Sequence, residues 1–293
     1  MPNPSGHRIG LIHLLRRGTG SVNDYRLLAL LVYAVQLVMS VAAAFVIARA
    51  LANALGRSPL FDKAVDGNML ALLIVLREHA SLLTSFAWIG IATAATYSVV
   101  SWFLIGGLVS VFIERPMTWR QRVDCFGAGG MSLFLPYVRL ALACIVPYTI
   151  VGVAFVLGLE RIFDSLLYEL SLGGLAVSVV LNLLPAALLY WIATTATAYA
   201  RIDLARHRGS STIALLRAYR TIFDRPLPLA HAAVYWAYFA GTTTLYVVLA
   251  ASFGWRGAIG ALALLLLRQL VSISRFGGKL VLLAGQVELS PRR

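Results

Sequence analysis

The chain has 293 residues, of which 60% are hydrophobic and only 13% are charged, and its mean hydropathy of +0.82 lies far outside the range of soluble domains. The formal net charge is +13, yet no basic soluble segment is long enough to form a nucleic-acid-binding domain, which argues against that function class. The composition therefore predicts an all-α, polytopic membrane protein.

Six segments are long and apolar enough to cross a bilayer as helices. A helix needs about 20 apolar residues to cross roughly 30 Å of hydrocarbon, and lipid offers backbone amides no partner outside the helix. The predicted spans are 27–48, 82–113, 132–159, 172–200, 229–252 and 257–283. The apolar run of the first span is longer than the core of a signal peptide, so we predict a span that is retained.

Basic residues are distributed unequally over two alternating sets of connecting segments. The first set comprises 1–26, 114–131, 201–225 and 284–293, and the second comprises 49–82, 159–172 and 253–257. The first set carries more than twice as many lysines and arginines, so the positive-inside rule places both termini in the cytoplasm. Almost all these cations are arginine, which favours a bacterial inner membrane protein from an arginine-biased genome.

Three connecting segments contain short amphipathic stretches. In 114–131 and 201–225, basic side chains alternate with apolar ones, which predicts short cytoplasmic helices whose arginines face lipid headgroups. Ser211 is a candidate N-cap for the second of these helices. In the external segment, Gly67–Arg77 is apolar but too short to cross, so we predict an interfacial helix or an extension of the second span.

The last span contains Arg268, Arg275 and Lys279 but no acidic residue. At 100° per residue these cations and Ser272 lie within roughly 60° of one another on one helix face. A charge at the centre of a span costs at least about 2.5–3.5 kcal/mol, so it normally faces a partner. Arg139, near the start of the third span, belongs to the same half of the bilayer.

Three explanations of these cations remain open from the sequence. The first is structural, with the side chains bound to carbonyls freed by prolines or to the C-terminal ends of neighbouring helices. The second is an anion site, for which a lipid headgroup supplies the nearest abundant phosphate. The third is an acidic residue on a partner helix from another subunit, because buried charges are normally paired.

Prolines interrupt two of the predicted spans. Pro136 and Pro147 lie in the third span, and Pro185 follows Asn182 in the fourth. Each proline removes a backbone hydrogen bond and bends the helix. The sequence leaves open a simple kink with local repair, or a broken helix that lines a transporter cavity around Asn182.

Motifs for catalysis and cofactor binding are absent from the sequence. It contains no HExxH, no GxSxG with a histidine partner, no P-loop and no GxGxxG. The histidines are dispersed, and only His231 enters a predicted span, where a packed residue is the simplest interpretation. We therefore predict neither an enzyme nor a metal or cofactor site.

Two segments carry a resemblance to a known group, TAYARIDLARHRGSSTIALLRAYRTIFDRPL and LLLRQLVSISRFGGKLVLLAGQ. Over most of residues 20–288 the chain resembles bacterial six-span inner-membrane proteins related to the membrane region of glycerophosphoryl diester phosphodiesterases. The soluble phosphodiesterase domain of some members is absent from this sequence, so no catalytic residue is carried over. The resemblance implies the architecture and a link to membrane lipids or envelope assembly.

These observations predict a non-enzymatic scaffold, an accessory subunit of a membrane complex, or a factor that binds anionic lipid headgroups. The residues predicted to bind the lipid anion are Arg139, Arg268, Ser272, Arg275 and Lys279. The alternative is a transporter or exporter subunit for an anionic or amphipathic substrate. In that case, kinked spans around Asn182 line its path.

Overall fold

The computed structural model describes residues 10–55, 80–167, 172–252 and 257–290, and within these ranges the chain forms nine helices and no strand. The helices are α1 (Leu11–Asp24), α2 (Arg26–Leu55), α3 (Ala80–Glu114), α4 (Trp119–Ala143), α5 (Ile145–Leu167), α6 (Leu172–His207), α7 (Ser211–Asp224), α8 (Pro226–Ser252) and α9 (Gly257–Leu289). All except α1 and α7 are long and apolar enough to cross a membrane. The chain is therefore a helical multi-pass membrane protein. The helix predicted over Gly67–Arg77 lies outside the described residues.

Five of the predicted spans each lie within one observed helix. These are 27–48 in α2, 82–113 in α3, 172–200 in α6, 229–252 in α8 and 257–283 in α9. Helices α6 and α9 continue beyond the predicted ends, and side chains in these extensions, such as Ile202 and Val287, are buried against other helices. Pro185 lies inside α6 without ending it.

The third predicted span, 132–159, is divided at Cys144 into α4 and α5, so seven candidate membrane helices replace the six predicted. Pro147 has no N–H to donate to the Ala143 carbonyl, which weakens the helix here. The Cys144 N–H still donates to the Leu140 carbonyl (2.9 Å), and the Tyr148 N–H donates to the Cys144 carbonyl (3.1 Å). The chain therefore bends at Cys144 without reversing.

Helix α4 begins well before the predicted span because its first turn is capped. The Gln121 N–H donates to Thr118 Oγ1 (3.3 Å), and the Thr118 N–H donates to Gln121 Oε1 (3.2 Å). This reciprocal pair is a capping box, which satisfies two amides at the helix start. Much of the segment 114–131, predicted to be a connection with a short helix, is therefore the start of a long helix.

The chain divides into two compact units, Leu27–Trp102 and a larger one made of Met1–Arg26 and Phe103–Arg293. In the smaller unit, the described residues belong to α2 and the first part of α3. Large apolar side chains such as Val38, Phe45 and Trp88 are exposed there. An exposed apolar surface of this kind fits contact with lipid.

The buried side chains of the larger unit concentrate at one end, which we call the basal bundle. It consists of 11–24, 103–114, 119–140, 196–207, 211–224, 226–232 and 280–290. Its most buried side chains include Leu14, Val109, Tyr137, Ile202 and Ile222. Each comes from a different helix, so this core joins the ends of the long helices to the short amphipathic helices α1 and α7.

Ionic contacts stabilise the C-terminal end of α9 in the basal bundle. Glu288, whose side chain is mostly buried, pairs with Arg115 and lies 3.6 Å from Arg17. Arg206 donates from Nη2 to the Val287 carbonyl (2.6 Å) and from Nη1 to the Ser290 carbonyl (2.7 Å). These carbonyls have no partner within the helix, so a cation stabilises them.

Helix α1 was not predicted, because residues 1–26 were interpreted as a connection. It packs along α9, where the backbone of Gly18 approaches that of Val281. At its end, the Arg122 guanidinium lies 4.8 Å from the centre of the Tyr25 ring, and Nη1 donates to the Asp24 carbonyl (2.9 Å). Burial raises the pKa of the Tyr25 hydroxyl above its ordinary value, while the Arg122 charge acts in the opposite direction.

The docking of α1 is expected to depend on the missing side chain at Gly18. A Cβ atom there would lie 2.6 Å from the Val281 carbonyl oxygen, and backbone cannot move aside as a side chain can. Gly18→Ala should therefore lower the free energy of unfolding by about 1–3 kcal/mol, as overpacking does. Gly20→Ala is the matched control, since no atom lies within 4 Å of a Cβ there.

Proteolysis of α1 in lipid nanodiscs, measured alongside thermal unfolding, tests this prediction. Gly18→Ala should be cut in α1 faster than the parent protein, and Gly20→Ala should not. Equal protection in both variants would show that α1 and α9 are not in close contact.

Candidate cationic site on α6, α8 and α9

Arg275 on α9 is held by neutral groups of α8. Its Nε donates to Thr242 Oγ1 (3.3 Å) and its Nη2 donates to Thr243 Oγ1 (2.6 Å). The guanidinium carbon also lies 4.5 Å from the centre of the Phe239 ring, a cation–π geometry. Arg275 therefore joins α8 to α9 through hydroxyls and an aromatic face, which is a structural role with partners other than those predicted.

Both threonines also donate to their own helix. Thr242 Oγ1 lies 3.0 Å from the Tyr238 carbonyl, and Thr243 Oγ1 lies 2.6 Å from the Phe239 carbonyl. A threonine hydroxyl that donates to the backbone keeps its lone pairs free to accept from arginine. Each hydroxyl therefore donates to its own helix and accepts from Arg275.

Arg268 and Ser272 face outward from α9. Both are exposed, and Arg268 lies among the exposed side chains of Leu265, Leu266 and Leu270. The Arg268 side chain forms no hydrogen bond or ion pair with the described part of the chain. The predicted stripe on α9 thus contains residues with different surroundings, because Arg275 is packed and Arg268 is not.

Lys279, the last cation of the stripe, has Arg201 of α6 as a neighbour. These helices, α6 and α9, pack against each other, so the two positive charges lie on adjoining helices. Arg201 was predicted to begin a cytoplasmic connection, but α6 continues to His207, so Arg201 is a helical residue of a candidate span. In the ranges that the structure describes, neither side chain has a hydrogen bond or an ion pair.

Arg139 is exposed on α4 and is separate from this pair. Within the described residues it forms no hydrogen bond or ion pair, and the helices that pack along α9 are α1, α6 and α8. The structure therefore does not join Arg139 to the cations of α9, although the sequence places all of them in one half of the bilayer.

A row of four aromatic rings runs from Tyr148 of α5 to Arg275 of α9. Ring centres lie 6.3 Å apart between Tyr148 of α5 and Tyr190 of α6, and 5.8 Å apart between Tyr190 and Trp236 of α8. Trp236 then meets Phe239 at 5.8 Å, and Phe239 meets the Arg275 guanidinium. At the other end, Tyr148 lies on α5, which packs along α6, the helix that carries Arg201. We call these four rings with Arg201 and Lys279 the cationic–aromatic cluster.

Amphipathic α7 packs near one end of this cluster. Burial raises the pKa of the Tyr219 hydroxyl above its ordinary value, and the neighbouring Cys144 thiol and Tyr148 hydroxyl act in the same direction. Cys144 Sγ lies 3.5 Å from Thr197 Oγ1, which in turn donates to the Ala193 carbonyl (2.8 Å). The bend between α4 and α5 is thus fixed against α6 beside the cluster.

Asn182 and the prolines have contacts within and between helices. Asn182 Nδ2 donates to the Ser178 carbonyl (2.9 Å) and lies 3.1 Å from Ser178 Oγ. A Cβ at Gly158 of α5 would lie 2.5 Å from the Asn182 carbonyl oxygen, so the two backbones are in close contact here. These are contacts within α6 and between packed helices. Helix α6 continues through Pro185 without a break.

Ser211 has a different role from the predicted one. Helix α7 begins at Ser211, so Ser210 occupies the N-cap position, and its side chain makes no capping bond. Ser211 Oγ instead donates to the Pro136 carbonyl (3.0 Å), which ties α7 to α4. The prediction of a helix in this segment is confirmed, and the assignment of its cap is corrected.

Within the described residues, no group of three or more His, Cys, Asp or Glu side chains could hold a metal ion. Comparison with family models, with curated proteins and with solved structures gives no match for this chain. The resemblance to the membrane region of glycerophosphoryl diester phosphodiesterases therefore stays an expectation, and the function must be argued from the geometry.

Proposed function

We propose that this protein is a non-enzymatic factor of the bacterial inner membrane that binds the phosphate of an anionic lipid headgroup and serves as a scaffold or accessory subunit. The observation that carries the proposal is the pair Arg201 and Lys279. Both are cations on helices that pack against each other, and neither side chain has a hydrogen bond or a carboxylate partner in the described ranges. Lys279 is one of the residues predicted for the site from the sequence, and Arg201 is an addition to that set.

An anion between the two cations would turn their repulsion into attraction. Opposite charges a few ångströms apart stabilise each other, and the effect grows as water is excluded. An arginine fork matches two phosphate oxygens, and a lysine adds a compact third donor. Both residues belong to helices long and apolar enough to span a membrane, so a phosphate attached to a lipid is the nearest source.

The aromatic rings beside the cations suit an amphipathic ligand. Tyrosine and tryptophan are enriched where hydrocarbon meets the polar headgroups, because their rings are apolar and one end is polar. The rings from Tyr148 to Phe239 give the cluster an apolar wall next to its charges. A free inorganic phosphate would gain nothing from that wall.

The basal bundle supports the proposed topology, with both termini in the cytoplasm. It carries more than half of the basic residues of the first set of connecting segments, including Arg17, Arg122 and Arg206. Because α4 and α5 bend without reversing, together they can make one crossing, which leaves six crossings from seven helices. An even number of crossings agrees with termini on the same side.

Helix α7 supports contact with the inner membrane surface. Its buried face consists of Ser211, Ala214, Leu215, Ala218 and Ile222. Its outward face combines exposed Leu216 and Phe223 with exposed Arg217 and Arg220. Large apolar and basic side chains on one face are typical of a helix that lies at the headgroup level.

Native mass spectrometry in mixed-lipid nanodiscs tests the proposal. The parent protein should retain phosphatidylglycerol in preference to phosphatidylethanolamine. Lys279→Gln and Arg201→Gln should each lower that retention about tenfold, since one charge-assisted hydrogen bond contributes about 1.5–3 kcal/mol. The conservative variant Lys279→Arg should keep most of it.

Arg139→Gln is the matched control, because it removes an equally exposed cation outside the cluster. It should leave retention unchanged. Equal losses of phosphatidylglycerol retention in Arg139→Gln and Lys279→Gln would mean that net charge alone attracts the lipid. Displacement of the lipid by inorganic phosphate would mean that the lipid is not the ligand. Thermal unfolding of each variant separates lost binding from lost folding.

A further inference from the structure

A cavity of about 200 Å³ lies within the larger unit, between α1, α8 and α9. Its walls are mainly apolar, with Leu15 from α1, Val234 from α8 and Val281 and Leu282 from α9. Tyr235, Tyr238 and His231 also line it, and among the described residues no arginine, lysine or carboxylate does. The cavity is thus chemically different from the cationic–aromatic cluster.

His231 is the unusual member of this lining. It is 1% exposed, and neither ring nitrogen has a hydrogen-bond partner among the residues that the structure describes. Gly285 makes room for the ring, because a Cβ there would lie 2.5 Å from Cε1 and 2.8 Å from Nε2. A buried polar atom without a partner costs about 1–3 kcal/mol, so two such atoms in one ring require an explanation.

The composition of the cavity limits what can satisfy the imidazole. A buried water needs two to four polar partners, and the surface of this cavity is almost entirely apolar. A carboxylate or phosphate would lose its hydration without meeting a positive charge. A neutral hydroxyl on an apolar body fits, because it can donate to or accept from the ring in either tautomer.

We propose that this cavity is a binding site for a small, mainly apolar molecule that carries one neutral hydroxyl group, with that hydroxyl hydrogen-bonded to His231. The size agrees with a phenol, since an apolar cavity of about 150 Å³ accommodates benzene. The site lies at the edge of the basal bundle, since some of its lining residues belong to the bundle and others do not. The proposal does not depend on the lipid phosphate proposed at Arg201 and Lys279.

Titration with 4-methylphenol, with toluene as the matched compound lacking the hydroxyl, tests the site. The protein is labelled with ¹⁵N-histidine and held in nanodiscs, and the His231 ring signals are assigned by their loss in His231→Phe. We expect a saturable shift of these signals with 4-methylphenol, and an affinity at least about tenfold weaker for toluene.

Gly278→Leu provides a second variant that keeps His231. Gly278 lines the cavity, where a leucine side chain would occupy the volume next to Tyr238. The 4-methylphenol shift should disappear in this variant. The proposal is overturned if the shift persists in Gly278→Leu, since the compound then acts through the lipid, or if no saturable shift occurs. The proposal is also overturned if the His231 signals show a hydrogen-bonded ring nitrogen before titration and do not change when 4-methylphenol is added.

Discussion

Gly107→Ala is expected to force α3 away from α4 and to lower the free energy of unfolding by about 1–3 kcal/mol, the usual cost of overpacking. A Cβ at Gly107 would lie 2.5 Å from Cδ2 of Phe126 and 2.7 Å from the Phe126 carbonyl oxygen. The Phe126 ring cannot turn away freely, because it packs edge-on against Phe103 at 5.9 Å. The backbone oxygen can move only if the helices separate.

The glycine pairs on both helices explain this close approach. Gly106 and Gly107 of α3 face Gly129, Gly130 and Phe126 of α4. In lipid, helices associate through packing and not through the hydrophobic effect, so small residues that admit close contact are favoured. A methyl group at Gly107 therefore separates the two helices where the glycines of α3 meet Phe126 and the glycines of α4.

Gly127→Ala is the matched control on the same interface helix. No atom lies within 4 Å of a Cβ at Gly127, so the added methyl group meets open space. Alanine is the better helix former by about 0.8–1.0 kcal/mol, so this variant should be as stable as the parent or more stable. Thermal unfolding in one nanodisc preparation should give opposite signs for the two variants. A loss at Gly127 equal to that at Gly107 would contradict the proposed packing.

The sequence predicted the helices that depend on a long apolar run and the amphipathic helix α7, but it missed α1 and the first half of α4. The spans inside α2, α3, α6, α8 and α9 follow from hydropathy, because lipid permits hardly any other structure. Helix α1 and the first half of α4 depend on packing against other helices. The pair Thr118 and Gln121 was a capping signal that could have been recognised.

The candidate site was predicted in part for a similar reason. Lys279 was found because a cation in an apolar segment is unusual. Arg201 was missed because it follows an apolar run, where a charge is normally taken as the end of a span. The aromatic row joins residues of α5, α6 and α8 that are far apart in the sequence, and no local pattern predicts such contacts. The pairing of Arg275 with Thr242 is equally nonlocal.

Arg268→Leu is expected to make the insertion free energy of segment 257–283 more favourable by about 3 kcal/mol. Arginine at the centre of a membrane helix costs about 2.5–3.5 kcal/mol, whereas leucine contributes about −0.3 to −0.6 kcal/mol. Arg268 lies about 3 Å along the helix from the centre of this segment and faces outward among exposed leucines. Among the described residues it has no partner that offsets this cost.

Placing the segment in a host membrane protein with glycosylation sites on either side measures the inserted fraction directly. Lys279→Leu is the matched control, since Lys279 lies near the end of the segment, where its side chain can reach the headgroups. It should change the insertion free energy by clearly less than Arg268→Leu. An equal or larger effect at Lys279 would place the membrane centre nearer the basal bundle. An outward-facing Arg268 with this insertion cost supports the proposed scaffold role. A carboxylate on a transmembrane helix of a partner protein would neutralise the arginine.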